Sequence, residues 1–332
     1  MQAIEVFPVP ENEANLQLSA GGRLRHLLTL KGLDRSMLRD LLDHAERYVT
    51  APGAVATRNE ALAGRTVANL FFEPSTRTRA SFDLAGKRLG ADVLNLDVNT
   101  SSRKKGESIL DTIYTLQAMQ VDVMVVRDAS AGVPAYIARH VEDHVSILNA
   151  GEAEVSHPTQ GLLDLLTIRQ HKGEFADLAV AIVGDIAHSR VARSAAQGLH
   201  TLGVGELRLI SPPALAPDAD EIPYAKLYDK LEEGLRDADV VMALRIQRER
   251  IGSLDGIPGI DEYFANYGIS TERMKLARPD AIVMHPGPMN RGIEIESTLA
   301  DSPASVITEQ VANGVAVRMA VLERVCRTMS ER

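Results

Sequence analysis

What this chain has little of narrows it first. It holds one cysteine, Cys326, which excludes an intramolecular disulfide and a cysteine metal cluster and fits a reducing compartment. Cys326 lies in an apolar helical pattern and reads as a small buried residue. Positive charge is also short: 36 Lys and Arg face 45 Asp and Glu, a net charge of -9. That balance disfavours nucleic acid and anionic membranes as partners. An anionic ligand has to be captured by a local basic pocket working against the overall field. No apolar run approaches the roughly 20 residues that span a bilayer. The opening stretch, MQAIEVFPVPENEANLQLSAGGR, lacks the basic start and apolar centre of a signal peptide, so the expected location is the cytoplasm. The nine histidines show no HExxH and no metal-ligand spacing, and no metal is expected. The Gly-rich phosphate loop ending in Lys-Ser/Thr is absent. VAIVGDIAHSRVARS offers one glycine where a dinucleotide-binding turn needs three, so NAD is not expected.

What is there is an alternating pattern. The 332 residues, 45% hydrophobic, are ample for a core and suit two domains better than one. Near-continuous apolar runs at 66–72, 92–98, 121–126 and 145–150, then at 178–184, 206–211, 238–244 and 280–285, read as parallel strands covered on both faces. Amphipathic stretches lie between them. One puts Phe82, Ala85 and Leu89 on a face and stops at Gly90. Another aligns Ile109, Ile113 and Leu116, and a third stops at Gly173. A last helix is expected over 307–328, burying Val311, Val315, Leu322 and Cys326 against the first domain. The fold class is therefore α/β: two similar-sized doubly wound domains, each with a mainly four-stranded parallel sheet flanked by helices. The expected division is an arm at 1–24, a first domain at 25–157 plus 305–332, and a second at 158–304.

Nearly every unusual polar cluster falls just after a strand, where open α/β sheets bind ligands. FFEPSTRTR places Ser75, Thr76, Arg77 and Thr78 at a helix start. Backbone N–H groups, hydroxyls and a forked guanidinium there suit a small, doubly charged anion. Read alone, Ser75 or Thr76 could equally be a plain helix cap. NTSSRKKGES carries Ser101, Arg103, Lys104 and Lys105, which in isolation reads as a solvated charge run. Arg127 ends an apolar strand and needs an acidic or ligand partner. HPTQ offers His157, whose imidazole could donate to a carbonyl oxygen, and Gln160, whose amide could hold an NH2 group. Arg190 opens a helix after GDIAHS. LRIQRER presents Arg245, Gln247, Arg248 and Arg250, and guanidinium suits planar carboxylates. HPGP is a rigid turn that directs the backbone carbonyls of Pro286 and Gly287.

Taken together, FFEPSTRTR, NTSSRKKGES, VVRD, NAGEAEVSHPTQGLLDLLTI, VAIVGDIAHSR, LRIQRER and MHPGPMNRGIEI resemble the catalytic chains of the aspartate carbamoyltransferase family, over about residues 25–325. STRTR is shared with ornithine carbamoyltransferases, whereas HPTQ, RxQxER and HPGP point to aspartate. The resemblance names the first domain as the carbamoyl-phosphate-binding one and the second as the aspartate-binding one. It implies that Ser75, Thr76, Arg77 and Thr78 hold the phosphate of carbamoyl phosphate. Arg127, His157 and Thr78 contact its carbonyl oxygen. Gln160 and the carbonyls of Pro286 and Gly287 hold the carbamoyl NH2. Arg190, Arg245 and Gln247 bind the carboxylates of aspartate. Ser101 and Lys105 reach a neighbouring subunit's site in a homotrimer with shared active sites, where Lys105 serves both substrates. The product would be N-carbamoyl-L-aspartate, early in de novo pyrimidine biosynthesis.

Two anions and a neutral amine need positioning and preorganised positive charge rather than a cofactor, and none is expected. Where some members have Leu, this chain has Gly287, and the Gly287–Pro288 bond is expected to be cis. The stretch 248–270 is a candidate lid. In some bacterial members an arm like 1–24 touches a dihydroorotase-like or regulatory partner chain. Two alternatives stay open: the same fold with another amino-acid acceptor, and a scaffold without activity.

Overall fold

A computed structural model describes residues 16–51, 53–96, 108–247 and 256–330. The chain forms two compact units. One runs to Thr159 and resumes at Ala312; the other spans Gln160–Val311.

The first unit opens with helix α1 (Arg35–Glu46), whose N-terminus is closed by Asp34 accepting from the Met37 N–H. There follow β1 (Thr66–Phe71), α2 (Thr76–Arg88), β2 (Asp92–Leu96), α3 (Ile109–Ala118), β3 (Val123–Asp128), α4 (Val133–His140) and β4 (Ser146–Glu152). The four strands are parallel in the order β2-β1-β3-β4. β3 and β4 are buried at every residue and β1 at all but its first. Such strands have helices on both faces, so the apolar alternation that marks a half-exposed strand is missing. Phe82, Ala85 and Leu89 of the first helical pattern are buried, and the chain leaves it at Gly90 in the left-handed region, φ 81°. Ile109, Ile113 and Leu116 of α3 pack into one core with Ala68, Met124, Val126 and Ile147.

Helix α5 (Pro158–Lys172) carries the chain into the second unit. It is followed by β5 (Ala179–Val183), α6 (Arg190–Leu202), β6 (Glu206–Ile210), β7 (Lys226–Tyr228), α7 (Leu231–Leu235) and β8 (Val240–Ala243). Then come α8 (Ile260–Tyr267), α9 (Thr271–Met274), β9 (Ile282–Met284), α10 (Ser297–Ala300) and α11 (Ile307–Ser330). This sheet is also parallel, ordered β7-β6-β5-β8-β9. Its core gathers Val183, Ile210, Val241, Tyr263 and Val283.

The expected α/β class with flanked parallel sheets holds, with three differences of detail. β2, at the edge of its sheet, has no buried residue and so is not covered on both faces as expected. The second sheet has a fifth strand, β7, which lies in a Pro- and Asp-rich stretch with two exposed residues and so leaves no apolar run to read. On the last helix Leu322 and Cys326 of the expected stripe are buried and Val315 is half-buried, but burial is not confined to a stripe: Ala316 to Glu323 are buried without a break. Val311 is 52% exposed, while Ala316, Val317, Ala320 and Val321 are buried beside Leu322 and Cys326. Arg318 is part of that buried run, its guanidinium 5.0 Å from the centre of the Phe82 ring, so a charged residue interrupts the apolar pattern. Residues 1–15 of the arm and 248–255 of the candidate lid lie outside the described residues, and Ile260–Tyr267 is helical.

Candidate active site

Each sheet has one point where the chain, having built outward on one side, returns to build on the other. Loops diverge there and leave a crevice at the strands' carboxyl ends. In the first unit that point lies between β1 and β3, and in the second between β5 and β8.

At the first point β1 delivers Glu73 and the start of α2. Ser75 occupies the N-cap position, yet its side chain makes no capping hydrogen bond. Thr78 is buried one turn in; Thr76 and Arg77 are exposed. The first N–H groups of α2 have no partner within the helix, and with the positive dipole end they favour an anion. Across the switch, Arg127 pairs in register with Phe71 and is 8% exposed. Its guanidinium donates to the carbonyl of Ala150 at 3.0 Å and to Glu73 at 3.1 Å, so the partner its burial demands is in part a carboxylate. The β3–β4 register shifts between Val126 and Asp128. An irregularity of this kind re-aims the side chain it contains, and here it contains Arg127.

His157 follows β4 and is buried. The turn before it is tightly built. Glu152 accepts from the Gly132 N–H at 2.5 Å and from Asn149 Nδ2 at 2.9 Å, and its own N–H donates to the Ser156 carbonyl at 2.9 Å. Thr78, Arg127 and His157 thus come from the carboxyl ends of β1, β3 and β4 in one unit.

At the second point Gly184 leaves β5 with φ 135°. A Cβ there would sit 2.5 Å from the Leu244 carbonyl oxygen at the end of β8, so only glycine lets the two exits run this close. Asp185, fully buried, then joins the two loops. Its Oδ1 accepts from the His188 N–H at 3.2 Å and lies 2.8 Å from His188 Nδ1, and its Oδ2 accepts from the Gln247 N–H at 3.0 Å. Gln247 returns a hydrogen bond from Nε2 to the His188 carbonyl at 3.2 Å. Arg190 begins α6, capped by Ser189 accepting from the Ala192 N–H. Arg190 is buried and Arg245 half-buried. Among the described residues of these two loops, Asp185 is the sole carboxylate.

Gln160 and the turn after β9 form a third group, in the same unit. Gln160 Nε2 donates to Asp164 Oδ1 at 2.9 Å, and Gln310 Nε2 donates to the same oxygen at 2.7 Å. Gln310 Oε1 accepts from the His285 N–H at 3.0 Å. The Gly287 N–H donates to His285 Nδ1 at 2.8 Å, and His285 Nε2 lies 3.1 Å from Glu294 Oε1. The Gly287–Pro288 bond is cis.

Ser101 and Lys105, like Arg103, Lys104, Arg248 and Arg250, lie outside the described residues. The supporting residues that sequence reading missed are Glu73, Asp164, Asp185, His285, Glu294 and Gln310. Asp185 and His285 stand inside clusters singled out above, so position after a strand could have flagged them. Asp164 lies one turn after Gln160 on α5, an i, i+4 spacing that could have flagged it, whereas Gln310 sits in a helix with no local signal. Among the described residues no group of three His, Cys, Asp or Glu could hold a metal ion, and no helix is long and apolar enough to cross a membrane.

This geometry has close counterparts. The chain is similar over 96% of its length, and over 98% of the other's, to aspartate transcarbamoylase from Trypanosoma cruzi in complex with aspartate and phosphate, at 30% identity and a TM-score of 0.79. It is similar to the same organism's enzyme in complex with carbamoyl aspartate and phosphate at 31% identity and a TM-score of 0.81, over 93% of this chain and 98% of that one. Ornithine carbamoyltransferase from Thermus thermophilus matches at 27% identity and a TM-score of 0.79, over 91% of this chain and 99% of that one. Residues 25–170 match the carbamoyl-P binding domain, and residues 176–325 the Asp/Orn binding domain, of aspartate/ornithine carbamoyltransferase. With both domains accounted for and the polar loops gathered at both switch points, the chain belongs to the aspartate/ornithine carbamoyltransferase family of enzymes.

Proposed function

We propose that this carbamoyltransferase uses L-aspartate, giving N-carbamoyl-L-aspartate and phosphate. The reading rests on the second switch point. Two arginines flank it, Arg190 and Arg245, and guanidinium matches planar carboxylates in a way an ammonium group would not exploit. Among the described residues of its two loops the one carboxylate, Asp185, already accepts from His188 and Gln247. It is spent on structure, whereas an ornithine site needs an acidic group for the side-chain amine.

In this reading Ser75, Thr76, Arg77 and Thr78 hold the phosphate, joined by Ser101 and Lys105 from a neighbouring copy in a homotrimer. The neutral amine of aspartate attacks the carbonyl carbon. Thr78, Arg127 and His157 stabilise the oxyanion, and Gln160 with the Pro286 and Gly287 carbonyls holds the NH2. Arg190, Arg245, Gln247 and Lys105 fix the two carboxylates. The C–O bond to phosphate then breaks, and the leaving phosphate takes the amine proton. The reaction belongs to the cytoplasmic synthesis of pyrimidines, with the arm at 1–24 available to a dihydroorotase-like or regulatory chain.

Incubation with carbamoyl phosphate and either aspartate or ornithine tests the acceptor. Carbamoylated aspartate alone is the expected result; carbamoylated ornithine would overturn the assignment of Arg190 and Arg245. Shared sites are tested by mixing Lys105→Ala with Arg127→Ala chains, each inactive alone. Mixed trimers should regain activity, and failure to do so in confirmed mixtures would sink the sharing.

A further inference from the structure

The third group described above is a chain of hydrogen bonds with a fixed direction. The two ends of a glutamine amide are told apart only by their partners, and here the partners decide. A backbone N–H can only donate, so the end of Gln310 facing the His285 N–H is Oε1, which turns Nε2 toward Asp164. Asp164 Oδ1 accepts that bond and a second one, so the end of Gln160 facing it is Nε2 as well. Gln160 Oε1 is left as the outward end, an acceptor. The same logic fixes the imidazole. His285 Nδ1 accepts from the Gly287 N–H, so the ring proton sits on Nε2 and points at Glu294. Gln160, Asp164, His285, Glu294 and Gln310 are all buried, where a mismatched donor or acceptor is costly and the chain of polarities is correspondingly firm.

We infer that Asp164 and Gln310 are positioning residues that select an acyl phosphate bearing NH2 over one bearing CH3. They do so by presenting an amide oxygen, rather than an amide nitrogen, to the acyl group, and by pinning His285 at the root of the turn that aims the Pro286 and Gly287 carbonyls. All the groups so presented are acceptors, which an NH2 satisfies and a methyl leaves unpaired. A site built to hydrogen-bond a group rejects the analogue that lacks it strongly, for that reason. The inference rests on the reading of Gln160, Pro286 and Gly287 as the holders of the carbamoyl NH2. It does not depend on the acceptor amino acid.

Calorimetric binding of carbamoyl phosphate, acetyl phosphate and inorganic phosphate tests it in the full chain. Gln310→Met keeps the side chain's length but removes both hydrogen bonds. In that variant the preference for carbamoyl over acetyl phosphate should fall by about tenfold, with inorganic phosphate bound as before. Gln310→Glu keeps the acceptor for the His285 N–H and sets oxygen against oxygen at Asp164. It should show the same loss at neutral pH and partial recovery in acid, where the introduced carboxyl can donate. Gln160→Ala is the control. If it lowers the preference and both folded Gln310 variants do not, the inference is wrong. If Gln160→Ala leaves the preference intact, the assignment of the NH2 holders is wrong instead. Equal weakening of all three ligands in a Gln310 variant that melts like the parent would mean a merely structural role, and would also overturn the inference.

Discussion

The two units solve similar problems by different means. In the first, the candidate anion donors are contiguous: Ser75 to Thr78 come from one helix start, with Arg127 across the switch point. In the second, Arg190, Arg245 and Gln247 come from two loops 55 or more positions apart in sequence, held together by one buried carboxylate, Asp185. A contiguous site gets its geometry from the helix it caps. A stitched site gets its geometry from side chains that never meet the ligand. It follows that the first should fail when a ligand-facing residue is lost, and the second also when a buried one is.

The largest effect is expected at Arg127. If it stabilises the developing oxyanion, Arg127→Leu should lower kcat on the order of 10²–10³-fold. Thermal melting should move as well, because Glu73 and the Ala150 carbonyl lose a partner. A variant with normal kcat would remove Arg127 from the reaction and leave it a strand-end ion pair. Asp185→Ala comes next. It should raise KM for the acceptor amino acid by about tenfold or more, since several loop hydrogen bonds worth ~1 kcal/mol each are lost. Binding of carbamoyl phosphate should stay near that of the parent. Loss of both in equal measure would contradict the division of labour between the units.

A sharper contrast lies in two serines at equivalent helix starts. Ser189 caps α6, accepting from the Ala192 N–H at 3.1 Å, whereas the Ser75 side chain makes no capping bond on α2. Ser189→Ala should therefore cost about 1 kcal/mol of stability. Ser75→Ala should cost little stability and weaken phosphate binding instead. Chemical denaturation and phosphate titration of both variants check this, and a destabilised Ser75→Ala with normal phosphate binding would return Ser75 to a plain cap.

The same contrast explains what the sequence made legible. Strands buried on both faces announce themselves as apolar runs, and STRTR, HPTQ and HPGP are local strings, so the two sheets and most of the candidate site could be read directly. β7 could not, because an exposed three-residue edge has no apolar signature. The all-round burial of α11 could not be read either, because Arg318 and Glu323 are buried among its apolar residues, Arg318 on an aromatic ring. The pairing of Asp164 with Gln310 stayed hidden for a deeper reason. The two are brought together by tertiary placement across 146 positions, and a polar residue in a helix has no periodicity that names a partner so distant.

The smallest predicted effect also separates the two sheets, at their edges. The second sheet continues past β6 to β7, and Glu206 ties the two, receiving Arg208 at 2.7 Å and Lys226 at 2.6 Å. The hydrogen bond from Arg208, then that from Lys226, holds the Glu206 carboxyl down to about 2. Its unfolded value is ~4.3, so the folded state binds this proton less readily than the unfolded state does. The resulting stabilisation is fully present above about pH 5 and is lost as pH falls toward 2. Because the site is largely solvent-screened, its worth stays within about 1 kcal/mol. Glu206→Gln should therefore flatten part of the acid limb of the stability–pH curve between about pH 5 and 2, and leave the shape of the neutral region alone. Hydrogen exchange should at the same time show faster opening of β7, with the first unit's sheet unchanged. If the variant lost stability equally at every pH, the contribution would be packing rather than charge, and the β6–β7 edge would not depend on an ionised Glu206.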